Sequence, residues 1–262
     1  MVKKMELSLI ITTYNWPEAL NTVLTSLQNQ LDDNIEIIIA DDGSSKETDY
    51  LITQWAKKLP HLIHVWQPDI GFRAAKVRNL AASKASGSWL IFLDGDCICP
   101  KNFISNHRKL SSNGKLIAGN RFLLTSHESI SFIMNPVSYY NKFFNSNKSL
   151  KLKTLSLMFF RDLFPKKWGK VRSCNMGISR KDFFTVQGFD ESYVGWGKED
   201  SDIAVRAINA GIRIRLGQFS TTVLHLYHDE ASRDNLDVNM HRLHEVLKSK
   251  CSIPKKSLFS QN

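Results

Sequence analysis

The stretch Asp69–Pro100, DIGFRAAKVRNLAASKASGSWLIFLDGDCICP, decides how the chain is read. Ala74–Ala85 has no proline or glycine inside and reads as a helix. Ser88–Asp96, SWLIFLDGD, is a short apolar run that ends abruptly in acids, as a buried parallel strand does. Helix followed by buried strand, with polar residues at the strand's carboxyl end, is the repeating unit of open α/β sheets.

Working outward, the same unit recurs upstream. Leu7–Thr13, LSLIITT, is a β-rich apolar strand. Pro17 opens a helix, with Leu20, Val23, Leu24 and Leu27 at helical spacing. Ile35–Ser45 is a second buried strand ending in acids and a turn, and Tyr50–Leu59 carries the stripe Leu51, Ile52, Trp55, Leu59. His61–Gln67 makes a third strand. The βαβαβαβ order predicts a doubly wound, Rossmann-like sheet flanked by helices, with ligands at the carboxyl ends of the strands. Downstream, Asn102–Leu110 reads as a helix and Lys115–Leu124 as one strand. Cys174–Ser179 is ordered, a helix lies near Arg180–Gln187, and Glu199–Ala210 is a helix stopped by Gly211. Ile212–Leu216 and Thr222–Leu226 are two further strands.

Polar strand ends therefore gather on one edge. The first strand brings Thr12, Thr13, Tyr14 and Asn15, the second Asp41 and Asp42, the fourth Asp94 and Asp96. Two carboxylates one residue apart suit a divalent cation, and the glycine between them lets a phosphate come close. Each tripeptide alone also reads as an ordinary acidic turn. Neither G-x-G-x-x-G nor G-x-x-x-x-G-K-[ST] occurs, which removes support for dinucleotide and P-loop readings.

The 262 residues carry 35 Lys+Arg against 25 Asp+Glu, a formal charge of +10, with 42% hydrophobic residues. That composition is globular and excludes a disordered chain. No apolar run approaches the roughly 20 residues of a membrane span, and the N-terminal run is too short for a secretory signal. Four cysteines are too few for a disulfide scaffold, so a cytoplasmic location is expected. The positive charge is concentrated: Tyr139–Arg172 holds nine Lys/Arg and one acid, Asp162, among eight aromatic residues. Such a segment suits a solvated insertion with core-facing aromatics, an anionic membrane surface on the inner leaflet, or nucleic acid. The residues after Lys248, also basic, read as a tail trailing outside the core.

LSLIITTYN, IIIADDGSS and LIFLDGDC together resemble the nucleotide-sugar domain of family 2 glycosyltransferases, which have the GT-A fold. Asp69–Pro100 resembles the donor domains of bacterial chondroitin-polymerase-like transferases. Asn175–Gly211, with Gly195-Trp196-Gly197-Lys198-Glu199-Asp200, resembles the C-terminal region of β1,4-galactosyltransferases, and His225–Asp234 their histidine segment. The resemblance implies four parts: a nucleotide-sugar half at 1–125, a basic aromatic insertion at 126–172, a catalytic and acceptor half at 173–234, and a basic tail at 235–262.

It also implies roles. Thr12, Tyr14 and Asp42, with Asp41 as a further partner, would hold the nucleoside. Arg73 and Arg78 would meet the diphosphate, with Lys76 either a third cation or plain surface. Asp94 and Asp96 would be the D-x-D, with Asp96 and His228 binding Mn²⁺ or Mg²⁺ and His225 as the alternative ligand. Asp200 would be the catalytic base, Glu199 would hold sugar or acceptor, and Trp196 would stack at the acceptor. The third acid of the galactosyltransferase run is Ser201 here. The expected reaction is inverting transfer from a UDP-sugar to a glycan or lipid-linked glycan of a bacterial surface polysaccharide or lipopolysaccharide. Three rival readings stand beside it: a nucleotidyltransferase on a similar sheet, a non-enzymatic polyanion or nucleic-acid binder, and an inactive glycan-binding relative. TTYNWPEA lacks the basic Gly-rich loop of the first, and the strand-end acids oppose the second.

Overall fold

Alternation within each central strand builds two cores, one on either face of a sheet. In β1 (Leu7–Thr13), Leu7, Leu9 and Ile11 point to one face and Ile10 to the other. The same split divides β2 (Ile35–Asp41) and β4 (Trp89–Asp94), so strands buried on both faces read as continuous apolar runs. On the first face lie α1 (Pro17–Leu27), α2 (Lys46–Ala56) and α4 (Phe103–Leu110). On the second lie α3 (Ala74–Lys84), α7 (Arg180–Thr185) and α8 (Glu199–Asn209). This computed structural model describes residues 6–146, 168–217, 220–229 and 232–260.

With β3 (Leu62–Trp66), β6 (Lys115–Ala118), β8 (Asn175–Ser179) and β9 (Arg213–Leu216), the sheet has seven strands in the order β3-β2-β1-β4-β8-β6-β9. All pairings are parallel except those of β8, which runs antiparallel to both neighbours. The mostly parallel sheet flanked by helices is the architecture expected. A second, three-stranded sheet joins β5 (Cys97–Ile98), β10 (Val223–His225) and β7 (Arg121–Leu123). Helices α5 (Ser126–Met134) and α6 (Pro136–Ser146) cover it through Phe132, Phe143, Leu224 and Leu226. Helix α5 is held by a capping box, Thr125 with Glu128.

Two expectations change. Lys115–Leu124 is not one strand but β6 and β7, in different sheets. The break is at Gly119, where a Cβ would overlap the Asn175 carboxamide. Gly119 N donates to Asn175 O (2.9 Å) and Asn175 Nδ2 to Asn120 O (2.9 Å), so the chain is drawn out of the large sheet. The C-terminal segment is also not a loose tail. Helix α9 (Leu236–Ser249) packs Leu243 and Val246 on Val205 of α8. Beyond it, Phe259 reaches the main core beside Phe183 and Phe184. Most of the basic aromatic stretch, 147–167, lies outside the described residues. Among the described residues, no helix is long and apolar enough to cross a membrane.

Candidate active site

The carboxyl ends of β1, β2 and β4 do converge, and a buried cation ties the centre together. Helix α3 approaches the sheet closely because its inner face is Ala74, Ala75, Ala81 and Ala82, which leaves room for a buried Arg78. Its Nε donates to Thr12 Oγ1 (3.0 Å), Nη2 to Asp94 Oδ1 (2.9 Å) and Nη1 to Glu199 Oε1 (3.1 Å). One guanidinium thus links two strand ends and the start of α8. Below it, the Phe189 ring centroid lies 5.6 Å from Cζ, in cation–π range. Burial works against the charge of Arg78, yet Asp94 and Glu199 outweigh it and hold the proton more tightly than usual.

Asp96, two residues further, faces a different set. Its Oδ2 lies 3.3 Å from His228 Nε2 and 3.6 Å from His225 Nε2, and the three groups offer ligand atoms within 4.8 Å of one another. His225 and His228 therefore stand in one cluster rather than as alternatives. Asp94 is outside it, turned to Arg78. One carboxylate and two imidazoles form a mixed O/N donor set that suits Mn²⁺ better than the all-oxygen preference of Mg²⁺. The hydrogen bond to Asp96 is the main reason His228 is pushed up to about 9. Burial opposes ionisation of Asp96, but the two histidines hold its carboxyl below the ordinary range. Asp94 moves the other way, raised by burial and by the Asp96 charge against the pull of Arg78. Gly95 is required by the protein itself: its N–H donates to Thr12 O (2.7 Å), and a Cβ would press on that carbonyl at 3.0 Å.

Glu199 and Asp200 open α8 and differ sharply despite adjacency. Glu199 is buried, held by Arg78 and by Ser173 Oγ (3.4 Å). Burial and the neighbouring Asp200 charge raise its pKa, opposed by Arg78. Asp200 faces the cavity, with the Ser201 hydroxyl (3.2 Å) as its hydrogen-bond donor. The loop before them has left-handed backbone at Gly195 (φ +75°), Gly197 (φ +100°) and Lys198 (φ +80°). Trp196 is exposed at the cavity, under the Arg233 guanidinium at 5.3 Å.

Thr12, Tyr14 and Asp42 also line the cavity. Asp42 is fixed by Gln67 Nε2 (2.5 Å) and Arg73 N (2.7 Å), while burial raises its pKa against those bonds. Tyr14 is half exposed and donates to Asp69 Oδ2 (2.8 Å). Two expected residues turn elsewhere. Asp41 is buried outside the cavity lining, held by His64 Nε2 (3.0 Å) and Ser44 N (2.8 Å); burial disfavours its charge, but these partners lower its pKa. Arg73 contributes its backbone N–H, while its guanidinium bonds to the Pro68 carbonyl. Lys76 is exposed and outside the lining.

These groups surround a cavity of about 610 Å³, within the range of small-molecule sites. The glycosyl transferase family 2 model matches residues 8–164, more than half of the chain. The chain belongs to glycosyl transferase family 2. A second model, the N-terminal domain of galactosyltransferase, matches residues 158–229, which contain Glu199, Asp200 and the two histidines of the cluster. This family 2 chain is 26% identical over 227 residues to chondroitin synthase of Escherichia coli, covering 80% of this chain and 33% of that protein. It is 25% identical over 230 residues to validoxylamine A glucosyltransferase of Streptomyces hygroscopicus subsp. jinggangensis, covering 82% and 54%. It therefore spans a third to a half of these curated relatives. Among solved structures, S. aureus TarS 1–349 superposes with TM-score 0.63 at 16% identity, covering 94% of this chain and 65% of that one. The mannosyltransferase PcManGT from Pyrobaculum calidifontis, in complex with GDP-Man and Mn²⁺, gives TM-score 0.59 at 15% identity, covering 95% and 65%. Both likenesses support the GT-A fold of this family 2 glycosyltransferase.

Sequence reasoning did not find Asp69, Ser173, Arg121 or Arg172, all of which contact or line the site. Asp69 opens the stretch read first, yet no spacing joins it to Tyr14. The other three lie where no motif was legible.

Proposed function

We propose that this chain is a metal-dependent, inverting hexosyltransferase that moves a sugar from a UDP-sugar to a hydroxyl of a glycan or lipid-linked glycan, in bacterial surface polysaccharide or lipopolysaccharide synthesis. The observation that carries the reading is the contrast at the start of α8. Glu199 is spent on Arg78 and Ser173, whereas Asp200 lines the cavity and, among the described residues, accepts from the Ser201 hydroxyl with no cation against it. A base must keep such a lone pair free. Asp200 takes the proton of the acceptor hydroxyl as that oxygen bonds to the anomeric carbon. The bond from that carbon to the diphosphate oxygen breaks, and its electron pair leaves with UDP. Asp96, His225 and His228 would hold the cation, which supplies charge neutralisation for the leaving diphosphate. Thr12, Tyr14 and Asp42 line the wall suited to the nucleoside. TarS has been crystallised in complex with UDP and with UDP-GlcNAc, which supports a uridine nucleotide. The carboxylates at the ends of β2 and β4 disfavour a polyanion-binding role without a metal.

The test is calorimetric titration of UDP with Mn²⁺ and then with chelator, followed by Asp200→Asn. Binding should require the metal. Asp200→Asn should lower kcat by about 10²–10⁴-fold with UDP affinity unchanged. Metal-independent binding, or a near-normal rate in the variant, would reject these assignments.

We also propose that the enzyme sits peripherally on the inner leaflet. Ile130 and Met134 are exposed one turn apart on α5, Val137 is exposed at the start of α6, and the basic sequence 148–167 follows α6. Co-sedimentation with vesicles should rise with their anionic lipid content. Equal recovery with neutral vesicles would sink the membrane reading.

A further inference from the structure

The cavity has a cationic wall that the reading above leaves unused. Arg121 is exposed at the start of β7, and Arg172 is exposed just before β8. Both line the cavity. Arg78 lies between Asp94 and Glu199, and Asp96 lies between two histidines, so those charges are matched. The two arginines are not. Arg121 Nη1 reaches Cys174 Sγ (4.0 Å), and Arg172 Nη1 donates to Gly169 O (3.0 Å) and Val171 O (2.8 Å). Among the described residues neither meets a carboxylate, and the remaining guanidinium N–H groups stay available. The backbone bonds of Arg172 also orient its fork, which lowers the cost of ordering it around a ligand.

Their position assigns them to the acceptor side. Between Arg172 and Cys174 stands Ser173, whose hydroxyl contacts Glu199, the neighbour of Asp200. The nucleoside wall of β1 and β2 lies on the other side of β4, with the Asp96 cluster available for a diphosphate. The exposed side chains of Leu123 and Tyr227 line the same cavity. Leu123 shares a face of β7 with Arg121 because side chains alternate with period two. Cations beside an apolar floor match a sugar ring that carries an acidic substituent: the floor takes the ring's C–H face and the guanidinium takes the anion in a fork.

Resting on the transferase reading above, we propose that Arg121 and Arg172 form an acceptor subsite for an anionic glycan, one whose sugar next to the reacting hydroxyl bears a carboxylate or a phosphate. The subsite selects the acceptor and takes no part in holding UDP.

The test uses the full chain with UDP and Mn²⁺ and three acceptor probes. These are a uronate-terminated disaccharide, its carboxyl-reduced neutral counterpart, and a disaccharide bearing a terminal phosphate. At least one anionic probe should bind about ten- to a hundredfold more tightly than the neutral one, as expected for a charge-assisted hydrogen bond. The preferred probe tells carboxylate from phosphate. Arg121→Gln with Arg172→Gln, which keeps side-chain bulk, should erase that preference while UDP affinity and the melting temperature stay at wild type. Equal binding of anionic and neutral probes would overturn the subsite. So would a loss of UDP affinity in the double variant, because the arginines would then serve the donor. If wild-type protein fails to bind UDP at all, it is the uridine donor that falls, an outcome distinct from equal binding of the acceptor probes, which overturns the subsite.

Discussion

At the scale of single residues, Arg78 carries more of the site than its motif suggested. The resemblance placed it beside a diphosphate; in the fold it lines the cavity and its guanidinium also holds Thr12, Asp94 and Glu199. Replacing it leaves two carboxylates in a partly dry setting without their counter-charge, which costs about 3–5 kcal/mol in buried pairs. Lysine does not fully rescue this, because one ammonium cannot reproduce a planar fork aimed at three acceptors. Arg78→Gln should therefore lose about 3 kcal/mol in urea unfolding, and Arg78→Lys should recover only part of it; a loss below about 1 kcal/mol in Arg78→Gln would mean that the three contacts are replaceable. Much of this cluster was legible, since acids at buried strand ends must meet on one edge of a parallel sheet. Asp94, Asp96, Glu199 and Asp200 do line one cavity. What could not be read was partner choice. Asp94 and Asp96 are two residues apart but serve an arginine and a histidine pair respectively, because the turn at Gly95 sends their side chains to different neighbours.

At the scale of elements, legibility followed burial. Strands β1, β2 and β4 announced themselves because both faces are covered, so their apolar runs are uninterrupted. β6 and β7 misled because Lys115–Leu124 has the composition of one strand while Asn175 pulls the chain apart at Gly119. Helix α8 was clear, but the conformation of the loop that aims it was not. Lys198, its N-cap, sits at φ +80°, where an L-residue with a Cβ is held at a cost of about 1–2 kcal/mol. Its flanking glycine already uses the same region freely. Lys198→Gly removes that strain while adding chain entropy to the unfolded state, leaving a net gain of about 1 kcal/mol. For a chain of this size that is a melting temperature about 2–4 °C higher. A lower melting temperature would mean that the lysine side chain itself stabilises the loop.

At the scale of the molecule, the two ends of the fold are joined through the C-terminal segment. Lys255 N donates to Asp190 Oδ2 (2.9 Å), Leu258 N to Glu191 Oε1 (2.9 Å), and Ser257 Oγ to the Gln187 carbonyl (2.7 Å). Asn79 of α3, next to Arg78, donates to Phe189 O and to Glu191 Oε1, both at 2.8 Å. The strap therefore fixes the loop that carries Phe189, and Phe189 packs on Phe92 and lies under Arg78. Its basic composition suggested a solvated tail because charge was counted without the acids that meet it, among them Glu245, which accepts from Lys255 Nζ (2.5 Å). Deleting residues 251–262 removes the Phe259 ring from its contacts with Phe183 and Phe184 (6.0 and 4.8 Å). That burial is worth about 1.5–3 kcal/mol, and each lost hydrogen bond adds about 1 kcal/mol. The truncated chain should melt about 10–20 °C lower, given about 5 kcal/mol in total for the ring and the three bonds and 2–4 °C for each kcal/mol. Phe259→Ala should account for about half of the fall, since it deletes the ring but keeps the backbone bonds. Melting within about 2 °C of wild type, a shift worth less than 1 kcal/mol, would show that the strap rests on the fold without supporting it. A fall in the truncation alone would assign its hold to the hydrogen bonds at Asp190 and Glu191 rather than to the ring.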